Sequence, residues 1–330
     1  MTISVAMCTY NGAAYLREQL DSIAAQTRPP DEMVVCDDCS VDDTVAILED
    51  FARRAPFPVR LHRNAATLGS TRNFDRAIGL CQGDLIALSD QDDVWLPEKL
   101  RRLEAPFARP DVGLVFSDGE VVDSALRPIG IRLWEAYFPP QMQRRVAAGQ
   151  AFSVEMEHNV VTGATLMFRA DLRALAQPIP HDIYLIHDGW LALVAAAVSR
   201  LVFLPEPLIL YRRHPNQQVG IALGDPPRKH NPVLPRQHYV KHLNQIEVVH
   251  ALLVKRGARR RGAALSWSFH RLTGHAAHLR TRLALPTHRL RRTPAVLREL
   301  VTGRYHRYSN GFRSAARDFL FPLDSQANAE

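Results

Sequence analysis

Through the first 120 residues, apolar runs alternate with segments of helical periodicity. Ile3–Cys8 (ISVAMC) is an apolar-rich run, the pattern of a strand covered on both faces. The turn-prone pair Asn11-Gly12 ends it. Leu16, Leu20 and Ile23 then recur at helical spacing until Thr27–Pro30 (TRPP) stops the helix. Glu32–Asp38 reads as a second strand ending in two acids, and Ser40 and Asp42 are candidate N-caps for a helix through about Arg53. PVRLHRN is a third strand, Ser70–Leu80 a third helix and Asp84–Ser89 a fourth strand. This alternation, roughly every 25 residues, predicts an α/β fold of β-α units around a mainly parallel sheet.

Beyond residue 110 the pattern loosens. GLVFSDGEVVD reads as a strand and hairpin, and the Pro- and aromatic-containing stretch Trp134–Gln143 as a loop or lid. Val160–Phe168 predicts a strand with Thr162-Gly163 at its start, and a buried helix begins at Asp188. RLVFLPEPLILYRRH predicts two short strands. After HPNQQVG strand signals cease, and the remainder reads as helices rich in Arg and His.

Charge follows the same division. The net charge is +7, but Lys255–Arg317 holds about 16 Lys and Arg against one acid, Glu299. Apolar content of 46% supports a sizeable core. Cys36 and Cys39 form a C-x-x-C with no second pair at zinc spacing, so small residues at strand ends are the favoured reading. No leader pattern precedes the first strand, and no run reaches the ~18 apolar residues of a membrane span. The expected compartment is a reducing cytosol.

In parallel sheets ligands bind at the carboxyl ends of strands. Those ends carry Thr9-Tyr10-Asn11, Asp37-Asp38 and Asp90-Gln91-Asp92-Asp93. Like charges this close repel by up to ~4 kcal/mol per pair at an effective dielectric of 20, so a cation is expected among them. Two carboxylates one residue apart suit Mg²⁺ or Mn²⁺, which also takes phosphate oxygens from a substrate. Asp37 and Asp38 either form a second metal pair or divide between a base N–H and a helix cap. Asp188 is either an N-cap or a general base, and His214 either structural or a metal ligand. No G-x-G-x-x-G follows the first strand and no P-loop occurs, which disfavours both dinucleotide and P-loop sites.

Taken in order, SVAMCTYNGAAYLREQLDSIAAQT, VVCDDCSVDDT, LGSTRNFDRAIGLCQGD, LSDQDDVW, TGATLMFR, HDGW and YRRHPNQ resemble the family-2 glycosyltransferases of GT-A fold. The resemblance covers about residues 1–220, and SDQDDVW with YRRH is similar to bacterial rhamnosyltransferase-like members. It implies a Rossmann-like, nucleotide-sugar-binding domain over 1–220, with a nucleotide half (1–120) and an acceptor half (121–220). Residues 221–330 form a helical, Arg-rich extension.

The implied reaction is inverting, metal-dependent transfer from a nucleoside-diphosphate sugar, dTDP-rhamnose or a UDP-sugar favoured. The implied acceptor is a hydroxyl of a glycan or lipid-linked carrier in cell-envelope polysaccharide synthesis. Thr9, Tyr10, Asn11, Asp37, Asp38, Arg72, Asn73, Asp90, Gln91 and Asp93 are the implied nucleotide-sugar contacts. Asp92, Asp90 and His214 are the implied ligands of Mg²⁺ or Mn²⁺. Asp188 is the implied base, with Thr162, Gly163, His187 and Trp190 on the acceptor side. Two positions depart from the common family pattern: Cys8 where proline is usual, and His187 before Asp188 where glutamate is usual. A sugar nucleotidyltransferase and a non-catalytic nucleotide-sugar-binding protein are the alternatives. The helices bearing Arg259–Arg261, Arg280, Arg282, Arg289, Arg291 and Arg292, with Trp267 and Phe269, suit an anionic membrane surface. That implies a peripheral place at the inner face of the membrane; a nucleic-acid partner is not expected.

Overall fold

A computed structural model describes residues 1–215, 217, 236–257 and 263–321. The chain divides into two compact units, Met1–His181 with Leu185–Ala222, and Asp182–Tyr184 with Leu223–Glu330.

In the first unit, strands β1 (Ile3–Thr9), β2 (Glu32–Asp37), β3 (Val59–Arg63) and β4 (Leu85–Ser89) alternate with helices α1 (Leu16–Ala24), α2 (Thr44–Arg54) and α3 (Ser70–Leu80). Strand β5 (Val94–Trp95), helix α4 (Lys99–Glu104), the long strand β6 (Val112–Val122) and β7 (Pro128–Arg132) follow. Helices α5 (Leu133–Tyr137), α6 (Pro140–Arg145) and α7 (Ala151–Glu157) lead to β8 (Leu166–Arg169), α8 (Arg173–Ala176), α9 (His187–Val198) and β9 (Arg200–Arg212).

One nine-stranded sheet runs β3-β2-β1-β4-β8-β6-β9-β5, with β7 on β6. Its β3-β2-β1-β4 half is parallel, and β8 enters antiparallel to both β4 and β6. The parallel half is apolar because helices cover it: β1, β2 and β4 are buried throughout, and α1 and α3 bury Leu16, Leu20, Ile23, Phe74, Ala77 and Ile78. Each of the large side chains among them contributes roughly 1.5–3 kcal/mol. Register then places the chemistry, since Thr9 lies beside Asp37 and Met7 beside Ser89.

Four expectations require correction. Trp134–Gln143 is not a loop: it holds α5 and α6, and Trp134 and Phe138 pack edge-on in an aromatic cluster with Phe116 and Phe203. The strand expected over Val160–Phe168 begins at Leu166, because Gly163–Thr165 forms a 3₁₀ turn. Residues 200–212 make one strand, not two, whose register shifts where Asp118 faces Pro207; proline cannot donate to the ladder. Ser40 and Asp42 do not occupy the N-cap of α2, which is Asp43. Ser40 donates to Asp37, and Asp42 accepts from the Thr44 N–H instead.

The second unit comprises helices α10 (Arg236–Gly257), α11 (Ala263–Leu283), α12 (Arg289–Val301), α13 (Arg304–Tyr308) and α14 (Phe312–Leu320). Its interior is polar as well as apolar. Arg282 is buried on Asp318, which also accepts from Tyr305 Oη at 2.9 Å, and His278 Nδ1 lies 2.8 Å from Glu299. Of the arginines expected on an exposed basic face, Arg282 and Arg292 are therefore interior, and Arg280 pairs with Glu247. Arg259–Arg261 and the side chains of Trp267 and Phe269 lie outside the described residues.

Candidate active site

The carboxyl ends of β1 and β4 border an open cleft with a cavity volume of ≈ 270 Å³. Thr9, Tyr10, Asp38 and Asn73 line one stretch of it, Asp90, Gln91 and Asp92 its acidic floor, and Thr162, Gly163, His187 and Asp188 a further stretch of wall. His214 and Tyr211 close the side nearest the acids. Twelve of the sequence-predicted residues thus meet in one place. Asn11, Asp37, Arg72, Asp93 and Trp190 do not line it.

On the first wall, most polar groups are committed to shaping backbone. Asp37 is fully buried and accepts from Thr9 Oγ1 and the Ser40 N–H, both at 2.9 Å. Asp38 accepts from Leu68 N–H at 2.7 Å, Gly69 N–H at 2.8 Å and Asn64 Nδ2 at 2.6 Å. It thereby fixes the entry to α3, where Gly69 takes a positive φ of 80°. Asn73 donates to the Cys36 carbonyl across the top of β2. Asn11 turns the chain at φ 48° and accepts from the Val41 N–H. Arg72 is exposed on α3. Gln91 clasps Tyr10, accepting from its N–H at 2.8 Å and donating to its carbonyl at 3.0 Å. The Tyr10 ring stays exposed at the cleft edge.

The acidic floor has a cation the sequence reading missed. Lys99 is completely buried; its Nζ sits 3.8 Å from the Trp95 ring centroid and donates to the Ala164 carbonyl. Burial pushes this ammonium well below the ordinary lysine range, while Asp93 and Asp90 pull it back up. Asp93 is 1% exposed and accepts from the Arg212 N–H at 3.0 Å, so it faces inward and away from any ligand. Burial, then the Asp92 and Asp90 charges, push its carboxyl well up. Arg212 is also buried: it donates to the Asp92 carbonyl at 2.7 Å, pairs with Glu18 and lies over the Tyr15 ring. The internal cations therefore serve Asp93 and the loop backbone.

Asp90 and Asp92 remain directed at the cleft. Burial, then the charges of Asp92 and Asp188, push Asp90 up to about 7 against the opposing pull of Lys99. His214 Nε2 lies 2.8 Å from Asp92 Oδ2, and its ring packs on Tyr15. Among the described residues no group of three or more His, Cys, Asp or Glu forms a ready-made metal cage, and none lining the cleft is Lys or Arg. This donor set fits Mg²⁺ or Mn²⁺, which accept one or two protein ligands and complete their shell with water and phosphate.

On the further stretch of wall, Asp188 Oδ2 accepts from the Gly163 N–H at 2.9 Å and Oδ1 from the Gly189 N–H at 2.6 Å. A side chain on Gly163 would press on His187 and Asp188. His187 stacks on Phe74 with centroids 4.1 Å apart, and burial lowers its pKa, so it is a neutral wall. Trp190, expected on the acceptor side, is in the core with Nε1 donating to the Ala176 carbonyl at 2.8 Å. Buried Glu155 on α7 adds an acid that burial, and secondarily Asp188, hold well above the usual carboxylate range. Lys99 and Glu155 sat unremarked in amphipathic segments and Arg212 was quoted only within YRRHPNQ, without a role; only their long-range packing reveals what they do.

A mainly parallel sheet with acids at its strand ends and a mixed second half defines the GT-A class of fold. Residues 4–171 match Glycosyl transferase family 2, and the chain belongs to that family. It is 28% identical over 232 residues to the dTDP-rhamnosyl transferase RfbG of Shigella flexneri, covering 66% of this chain and 75% of that one. An uncharacterized protein of Mycobacterium tuberculosis is 28% identical over 222 residues, 64% of this chain. This chain spans 59% of that relative's length. Among solved structures, Staphylococcus aureus TarS 1-349 in complex with UDP-GlcNAc superimposes with a TM-score of 0.55 at 16% identity, covering 97% of this chain and 91% of that one. The mannosyltransferase PcManGT of Pyrobaculum calidifontis, in complex with GDP-Man and Mn²⁺, gives 0.51 at 19%, covering 96% and 86%.

Proposed function

We propose that this chain is an inverting glycosyltransferase that moves a sugar from a nucleoside diphosphate to an acceptor hydroxyl. The observation carrying the reading is that Asp188 lines the same cleft as Asp90, Asp92 and His214, near enough for its charge to raise Asp90. Tyr10 presents a ring on which the base stacks, and Thr9 and Asn73 border the same wall. Asp92 and His214, with Asp90 beside them, would hold Mg²⁺ or Mn²⁺, which stabilises the departing diphosphate. Asp188 takes the acceptor proton as the hydroxyl attacks the anomeric carbon opposite the leaving group. Its two backbone N–H partners fix its direction while leaving lone pairs for that proton.

On this reading the chemistry belongs to residues 1–220, and the helices within 236–257 and 263–320 form an extension. The Shigella relative supports dTDP-rhamnose as donor. The acceptor on this reading is a glycan or lipid-linked hydroxyl in cell-envelope polysaccharide synthesis, met at the cytoplasmic side. The nucleotidyltransferase alternative loses support because no Lys or Arg among the described residues lines the cleft to meet a triphosphate.

The test is calorimetric titration with dTDP-, UDP- and GDP-sugars, with and without Mn²⁺, alongside turnover. Asp92→Ala and Asp188→Ala should each abolish turnover, and only the first should weaken metal-dependent nucleotide binding. Wild-type turnover in Asp188→Ala refutes the base; full activity in chelator refutes the metal.

A further inference from the structure

The last helices of the second unit carry a surface that their own packing leaves uncovered. α12 buries Arg292, Val296 and Glu299 on one face. Leu290, Leu297 and Val301 lie on the opposite face and are 76%, 52% and 86% exposed. Their spacing of seven and four residues makes them one stripe along the helix. α14 repeats the arrangement: it buries Ser314, Ala315 and Asp318 and exposes Phe312 and Phe319, with Leu320 and Phe321 exposed beside them. Seven of the 15 large hydrophobic side chains exposed among the described residues fall between Leu290 and Phe321, about a tenth of the chain. Such a concentration marks an interaction surface.

The charges there have one sign. Between residues 284 and 321 the only acids are Glu299 and Asp318. Both are buried, Glu299 against His278 and Arg304, Asp318 against Arg282 and Tyr305. The exposed charged side chains are Arg289, Arg291, Arg298, Arg307 and Arg313. On the helical wheel Arg291 and Arg298 flank one side of the α12 stripe and Arg289 the other. A second copy of the same face would set these five arginines against five more. A nucleic-acid backbone would meet the arginines but leave the seven apolar side chains in water.

We propose that the exposed face of α12 and α14 docks on an anionic lipid bilayer, its apolar side chains in the acyl boundary and its arginines among the headgroup phosphates. The chain lies on the membrane at this face, since no helix among the described residues is long and apolar enough to cross one. The proposal does not depend on the glycosyl-transfer reading: its assay contains neither donor nor acceptor.

The experiment is cosedimentation of the full chain with phosphatidylcholine vesicles, alone and with about 30% phosphatidylglycerol, at low and high salt. Partition onto the anionic vesicles should be at least about tenfold higher, and should fall with salt. The exposed double substitution Leu297→Gln/Val301→Gln should abolish binding without lowering the melting temperature. Arg291→Gln/Arg298→Gln should weaken it and flatten its salt dependence. Equal partition onto both vesicles, no pelleting with either, or unchanged binding of Leu297→Gln/Val301→Gln overturns the proposal. Self-association that Leu297→Gln/Val301→Gln abolishes, without vesicle binding, makes a second copy the occupant and likewise overturns it.

Discussion

Replacing Lys99 by methionine tests the electrostatics of the acidic floor directly. Methionine keeps the stem's apolar volume, so the loss is confined to the charge. Nζ is wholly buried, without solvent screening, and makes a charged hydrogen bond to Ala164 and a contact over Trp95. These are worth roughly 1.5–3 kcal/mol and about 2 kcal/mol when desolvated. Lys99 also opposes the upward push on Asp93 and Asp90, and removing one partner of a buried pair costs about 3–5 kcal/mol. The terms overlap, and protonation of Asp93 relieves part of the strain, so a net loss near 3 kcal/mol is expected. For a unit of this size that is a fall of roughly 6–12 °C in Tm. Thermal unfolding followed by circular dichroism measures it. In a double-mutant cycle Asp93→Asn should recover about 1–3 kcal/mol in the Lys99→Met background. A Lys99→Met protein within about 0.5 kcal/mol of wild type, or strictly additive substitutions, would refute the pairing.

Two further outcomes are expected. An ideal Cβ on Gly12 would lie 2.2 Å from Gln91 Oε1, so Gly12→Ala should expel the Gln91 amide and forfeit both bonds to Tyr10. Gly12→Ala and Gln91→Ala should each cost about 1–3 kcal/mol in urea unfolding, and the double variant no more than either. In the second unit, burial first and then the charges of His238 and Arg282 lower His242 to about 4. Burial, then His242, lowers His275 to about 3. Both bind protons more readily when unfolded, so their contribution is complete above pH 6.5 and is lost as pH falls toward 4, on the order of 3 kcal/mol for His242. Amide exchange in α10 and α11, corrected for intrinsic rate, should accelerate from pH 7 to pH 5; equal protection at both would contradict it.

The parallel half was legible because each strand is covered on both faces and each helix on one, so hydropathy periods survive in the sequence. Ser70–Leu80 falls where its periodicity places it. Legibility ended where long-range packing decides. Residues 200–212 stay one strand because β6 accommodates the proline bulge, and Trp134 and Phe138 look like lid residues until Phe116 and Phe203 surround them. The acids were read as a charge problem, and the structure sets a buried cation, Lys99, among them. Nothing local distinguishes that lysine from the exposed Arg101 and Arg102 beside it. Asp93 and Trp190 were assigned by motif position, and their side chains turn inward.

The Gln91 clasp has a mechanical consequence. Its amide stands in for a peptide group, so the loops after β1 and β4 close into one hydrogen-bonded ring. On the proposed reading, a base stacking on Tyr10 would bear on the same ring that carries Asp90 and Asp92, so the two loops would move together.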